Sequence, residues 1–163
     1  MSAYEVPGMK LISQTKTMAC WYASAQMVIQ WKRSMTQSTL LGHPDPSQVA
    51  ETVSWEVLNS GVTNPQVVRL ALRLGLKEVP PMTPSPAYVS DLLKTYGPLW
   101  TNGKRHIVVI AGIDERRRKL KVYDPWPWGG KQIEWRSFAW YTGNSSSSRD
   151  TGHDVQTVLL YHP

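Results

Sequence analysis

The run His106-Ile107-Val108-Val109-Ile110-Ala111-Gly112-Ile113-Asp114 marks where the chain turns from helix to sheet. Its middle, Ile107 to Ala111, is apolar at every position rather than at alternate ones. A short run that is apolar on both faces reads as a central strand with cover on each side. Asp114 to Arg118 is polar and predicts a turn, and Lys119 to Tyr123 alternates, with Leu120 and Val122 on one face. The two segments form an antiparallel hairpin whose solvated tip is the basic run Arg116-Arg117-Arg118. Pro98 to Thr101, Lys131 to Trp135 and Val155 to Tyr161 read as further strands, and Thr142 to Asp154, rich in Ser and Gly, reads as a loop.

Upstream of Pro98 the pattern is helical. The first helix is predicted from about Ala19 to Arg33, with Cys20, Ser24, Met27, Val28 and Trp31 recurring on one face. Three shorter helices share one punctuation. Asp45-Pro46 opens the first and Gly61 closes it, Asn64-Pro65 and Gly75 bound the second, and Ser85-Pro86 and Gly97 bound the third. A capping side chain, a proline suited to the first helical position and a terminal glycine explain each pair of ends. Val49, Val53 and Val57 form one buried stripe, and Val67, Leu70, Ala71 and Leu74 another. Residues 1–13 read as a lead-in with a turn at Pro7-Gly8, and Pro80 to Pro84 as an extended connector too short to separate two cores. Helices first and an antiparallel sheet second make an α+β fold, a single domain over residues 1–163. Its helical lobe is expected over about 1–97 and its β lobe over about 98–163.

Composition narrows the function. At 41% hydrophobic and 18% charged residues the chain has enough apolar material to fold. One cysteine excludes an internal disulfide and any multi-cysteine zinc or iron–sulfur site, and neither metal nor cofactor is expected. No segment approaches the roughly 18 apolar residues of a membrane span, and Met1 to Lys10 has no apolar core of signal-peptide type. The net charge of +6 is scattered apart from Arg116 to Lys119, which argues against nucleic-acid binding as the main function.

The lone Cys20 stands at a helix start, where unpaired N–H groups and the helix dipole favour an anionic sulfur. A buried structural cysteine has the same appearance, so the assignment depends on partners. The hairpin supplies them. Counting back from its turn, a residue at 106 lies opposite one between about 124 and 127, so His106 and Asp124 are cross-strand or near-diagonal neighbours. A carboxylate beside an imidazole orients the ring and favours its charged form, which in turn supports a thiolate. Gln14, six residues before Cys20, can join the Cys20 backbone N–H as an oxyanion donor. His43 and His162 read as inert, and His153 lacks a strand context.

The stretches Gln14-x5-Cys20-Trp21-Tyr22-Ala23-Ser24, Gly97-Pro98-Leu99-Trp100, His106 to Asp114 and Val122-Tyr123-Asp124-Pro125-Trp126 together resemble the papain-like cysteine peptidases. The resemblance is to their compact bacterial branch, which includes double-glycine leader peptidases of peptide exporters and secreted effector peptidases. It implies a helical lobe carrying the nucleophile Cys20 and a β lobe carrying the base His106, with Asp124 orienting the base and Gln14 serving the oxyanion. It also implies a protein substrate. No transporter follows the domain, which leads us to expect a monomeric effector or toxin peptidase. Such a peptidase would be delivered by a specialised secretion system, would act in the cytoplasm of a target cell, and would have a cognate inhibitor in its producer. Of the eight tryptophans, Trp21, Trp100, Trp126 and Trp128 flank the nominated residues. Indoles crowding a cleft, with the double-glycine habit of the resembling peptidases, predict a narrow slot and small residues, glycine above all, at the cleavage point. The same thiol chemistry serves peptidoglycan amidases, transglutaminase-like enzymes, deamidases and acyltransferases, and a catalytically dead binding module is a further alternative.

Overall fold

The computed structural model describes residues 3–15, 19–36, 71–79, 85–102, 106–138 and 158–163. In chain order the elements are β1 (Tyr4–Glu5), α1 (Cys20–Thr36), β2 (Lys77–Glu78), α2 (Pro86–Tyr96), β3 (Leu99–Asn102), β4 (Ile107–Asp114), β5 (Lys119–Tyr123), β6 (Ile133–Ser137) and β7 (Leu159–Tyr161). One antiparallel sheet runs in the order β2-β7-β3-β4-β5-β6, and β1 pairs with the far end of β4. The fold is α+β, as the sequence predicts.

The punctuated helix ends among the described residues behave as expected. At α2, Ser85 Oγ accepts from the Tyr88 backbone N–H at 3.1 Å, Pro86 opens the helix, and the Gly97 N–H donates to Leu93 O at 2.9 Å. Residues 71–73 end the helix that Gly75 was expected to close. There the Gly75 N–H donates to Leu72 O and the Leu76 N–H to Ala71 O, with Gly75 at φ +97°, a Schellman stop. Gly97 has a second duty. At φ +88° and ψ −153° it occupies backbone space that only glycine enters freely, and a Cβ there would sit 2.2 Å from the Trp31 ring of α1.

β4 is the central strand and is buried from Ile107 through Ile113. β3 and β5 flank it, and both helices pack against it. Trp21, Ala25, Val28 and Ile29 of α1 and Val89, Leu92 and Leu93 of α2 fill the core with Leu99, Trp100, Leu120 and Val122. Burial of each large apolar side chain here is worth about 1.5–3 kcal/mol. Burial of α1 is broader than one stripe: Trp21, Ala23, Ala25 and Ile29 are as buried as Met27 and Val28.

Several boundaries differ from expectation, and α1 runs on to Thr36 rather than Arg33. The lead-in segment contains β1, and β2 precedes the Pro80 connector; two-residue strands are too short to show a period. β6 runs over Ile133–Ser137 rather than Lys131–Trp135, and Gln132 carries the pairing one step further, its backbone O accepting from the Asp124 N–H at 2.6 Å. The helix expected from Asp45, the start of that from Asn64, the Pro80–Pro84 connector, the Thr142–Asp154 loop, residues 155–157, His43 and His153 lie outside the described residues. The tip of the β4–β5 hairpin is solvated as expected, with Arg116, Arg117 and Arg118 exposed and Asp114 Oδ1 accepting from the Arg117 N–H at 2.9 Å.

Candidate active site

Cys20 is the first residue of α1 and is half-buried. Two hydrogen bonds fasten the first turns of the helix to the sheet. Ser24 lies one turn beyond Cys20 on the same side of the helix, and its Oγ donates to Ile107 O at 3.2 Å. Trp100 Nε1 of β3 donates to Trp21 O at 3.1 Å. Because Ile107 follows His106 directly, the Ser24 bond carries Cys20 to the imidazole, close enough for its side chain to help raise the His106 pKa.

The other partner of His106 is Asp124. His106 Nε2 and Asp124 Oδ1 are 2.5 Å apart. The register explains the meeting. Val109 faces Tyr123 and Ile110 faces Val122, so continuing the ladder sets residue 108 across from Asp124 and His106 on the adjacent diagonal. On the other side of Ala111 the register differs by one, with Gly112 facing Lys121. Carried through unbroken, that second register would turn His106 to the opposite face from Asp124. The bulge between Ile110 and Gly112 is thus what lets the two side chains meet.

Asp124 is itself anchored. Its Oδ1 also accepts from the Trp126 N–H at 2.9 Å, its Oδ2 accepts from Arg136 Nη2 at 2.9 Å, and its backbone N–H donates to Gln132 O at 2.6 Å. Burial opposes charge on both partners, but their mutual hydrogen bond and attraction outweigh it. The His106 pKa is pushed up to about 9, since its bonds to Asp124 and to Cys20 overcome the cost of burial. The Asp124 carboxyl is held below the usual carboxylate value, since the bond to His106, with support from Trp126 and Arg136, overcomes the opposing effect of burial. These contacts favour the protonated form of the ring.

Gln14 is buried, at 3% exposure, and its backbone N–H donates to Pro125 O at 2.8 Å. Next to it, Ser13 Oγ accepts from Gln132 Nε2 at 2.9 Å. The segment that carries Gln14 is thus tied to the same corner as Asp124. The tryptophans divide. Trp21 and Trp100 are 1% and 0% exposed and lie in the core, so the expectation that they line the cleft is corrected for both. Neighbours in sequence to the site, their rings turn inward between α1 and the sheet. Trp126 packs edge-on to His106 with ring centres 6.4 Å apart, and Trp128 packs on Trp126 at 4.8 Å and is 54% exposed. Sequence reasoning missed Arg136. Its one signal was that Glu134 and Arg136 share a strand face, and the predicted strand stopped at Trp135. It also left Ser24 without a role.

A helix-start cysteine on a sheet-borne histidine and aspartate, in this order and on this fold, defines the papain-like cysteine proteases. Within that class the chain belongs to the family of the papain-like cysteine protease AvrRpt2, whose model matches residues 1–146. No match is found among curated proteins. Solved structures show the same fold. A double-glycine motif protease from an AMS/PCAT transporter, in complex with its leader peptide, is 15% identical, with TM-score 0.58, and covers 100% of this chain and 99% of its own. A Bacillus anthracis protein described as a C39-like peptidase is 12% identical, with TM-score 0.57 and 98% of each chain covered. The peptidase domain of Streptococcus ComA is 18% identical, with TM-score 0.52, covering 95% of this chain and 99% of that domain.

Proposed function

We propose that this cysteine protease works through Cys20, His106, Asp124 and Gln14, as an endopeptidase acting on protein in a target cell. The observation that carries the reading is that His106 bonds Asp124 at 2.5 Å while the Ser24 bond to Ile107 O brings Cys20 beside the same ring. In the reaction the Cys20 sulfur attacks the peptide carbonyl, and its proton is held on His106. The carbonyl oxygen gains negative charge and is met by the Gln14 side-chain amide and the Cys20 backbone N–H. As the tetrahedral adduct collapses, the C–N bond breaks and His106 protonates the leaving amine. His106 then takes a proton from water, the hydroxide adds to the thioester, and the second collapse releases the acid and returns Cys20. Asp124 fixes the ring and balances its charge throughout.

The finer reading is an effector or toxin domain that acts as a monomer and favours small residues at the scissile bond. The resemblance to secreted effector peptidases supports the first part. Trp126 and Trp128, bulky rings packed beside His106, support the preference, as does the double-glycine motif in the description of one structural neighbour. Cells expressing the protein should contain new protein termini that are absent when Cys20→Ala is expressed at equal level, as read by terminal proteomics. Identical terminal profiles from the two would sink the endopeptidase assignment.

A further inference from the structure

Asp124 is gripped from two sides, and the side away from His106 belongs to Arg136. Oδ1 bonds His106 Nε2 at 2.5 Å and accepts from the Trp126 N–H at 2.9 Å, while Oδ2 accepts from Arg136 Nη2 at 2.9 Å. The guanidinium is fixed in its turn, with Nε donating to Glu134 Oε1 at 2.7 Å. Glu134 and Arg136 stand two apart on β6, opposite Val122 and Leu120 of β5, so both project from one face of the strand toward Asp124. The Arg136 side chain is only 16% exposed and that of Asp124 13%, so solvent screens this pair little. A carboxylate held through one oxygen can swivel about its bond to Cβ; one held through both has its plane set.

We infer that Arg136 is a positioning residue of the active site, acting through Asp124 to keep Oδ1 on His106, with Glu134 holding Arg136 in place. The inference rests on the reading of Cys20, His106 and Asp124 given above. Among the described residues, the charged groups that face Asp124 are His106 at the start of β4 and Arg136 of β6. Cys20 of α1 lies across His106, and Glu134 lies across the guanidinium. The Gln14 segment meets this corner through its backbone N–H and the Ser13 hydroxyl, and adds no charge.

With a single cysteine in the chain, alkylation by iodoacetamide reads Cys20 directly and needs no substrate. Rates followed by intact mass from about pH 5 to 10 would compare the wild type with His106→Ala, Arg136→Met, Arg136→Lys and Glu134→Gln, each checked for folding by circular dichroism. Wild type should alkylate faster than His106→Ala near neutral pH. If the two are equal, the catalytic reading fails and the inference falls with it. Given that difference, Arg136→Met should slow alkylation by roughly tenfold or more. The pH at which the His106-dependent rate is lost should also move down, because the ring is then less firmly supported. Arg136→Lys should recover part of the rate, and Glu134→Gln should shift the profile in the same direction by less. A folded Arg136→Met with the wild-type profile overturns the inference and leaves the catalytic reading intact. So does a slower Arg136→Met that Arg136→Lys does not rescue and whose profile has not moved. If Arg136→Met does not fold, Arg136→Lys and Glu134→Gln decide: a downward shift supports the role of Arg136, and unmoved profiles refute it.

Discussion

His106 gathers the electrostatics of the site. It is half-buried, which by itself would favour the neutral ring, yet its bonds to Asp124 and Cys20 raise its pKa to about 9. Those contacts favour the protonated ring and exist only in the folded protein. Their stabilisation is complete below the unfolded value near 6.5 and is lost as pH rises through about 9. The wild type should thus lose unfolding free energy more steeply than His106→Asn between these pH values, with urea titrations as the measure. Parallel stability curves would contradict the assignment. Asp124 works in the opposite sense. Its carboxyl is held below 3.8, so its contribution is present above that pH and fades as pH falls, and the two groups titrate as a pair. The residue types were legible in the sequence: a lone cysteine at a helix start, and a histidine and aspartate at hairpin ends. Arg136 was not, because an arginine on a half-exposed strand looks like any solvated cation until its partner is placed.

At the scale of elements, the site is built by fastening α1 to the sheet. The Ser24 bond to Ile107 O and the Trp100 bond to Trp21 O sit within the first turns of the helix and set where Cys20 meets His106. Farther along, Trp31 donates to Pro7 O at 2.7 Å and lays its ring against Gly97 at the end of α2. Gly97→Ala meets two penalties there, a backbone conformation reserved for glycine and a Cβ inside the indole. It should destabilise the fold by about 2–5 kcal/mol. Gly130→Ala, at φ +72° with nothing within 4 Å of the added carbon, isolates the backbone term and should cost about 1–2 kcal/mol. Chemical denaturation of both variants checks the difference, and equal losses would mean that the indole yields freely. The caps of α2 were legible because capping is local chemistry. β1 and β2 were not, since two residues carry no periodicity and are strands only through their partners β4 and β7.

For the molecule as a whole, the proposed preference for small residues turns on what surrounds Cys20 and His106. Trp126 and Trp128 are the two nominated indoles that stand beside His106, and the proposed preference puts them on the path of an approaching peptide. Cleavage of a randomised peptide library, read by mass spectrometry, should enrich glycine and other small residues on both sides of the scissile bond. Enrichment of bulky side chains there would remove the proposed slot. Trp128→Ala should relax the preference without abolishing cleavage, since that ring lies beyond Trp126 from His106. Trp21 and Trp100 instead give the core its bulk beneath the nucleophile. Proximity in sequence suggested the cleft for them, but a helix turns each successive side chain by about 100°, and a strand sends alternate ones to opposite faces. The neighbour of a catalytic residue is therefore as readily core as cleft.

Sequence alone determined the class of fold, the ends of α2, the central strand, its hairpin and the candidates Cys20, His106, Asp124 and Gln14. All but Gln14 follow from local chemistry (periodicity, capping, the length of a turn), and Gln14 is nominated only as completing the set with the other three. Only the tertiary structure decided which candidates meet. A single extra residue in the ladder at Ala111 turns His106 to the face of Asp124. β6 brings Arg136 and Glu134 to that carboxylate across a second strand pair, and α1 lies so that Trp21 faces inward while Cys20 stays half-open. Register and helix seating are set by contacts between residues far apart in the chain, and a local pattern does not contain them.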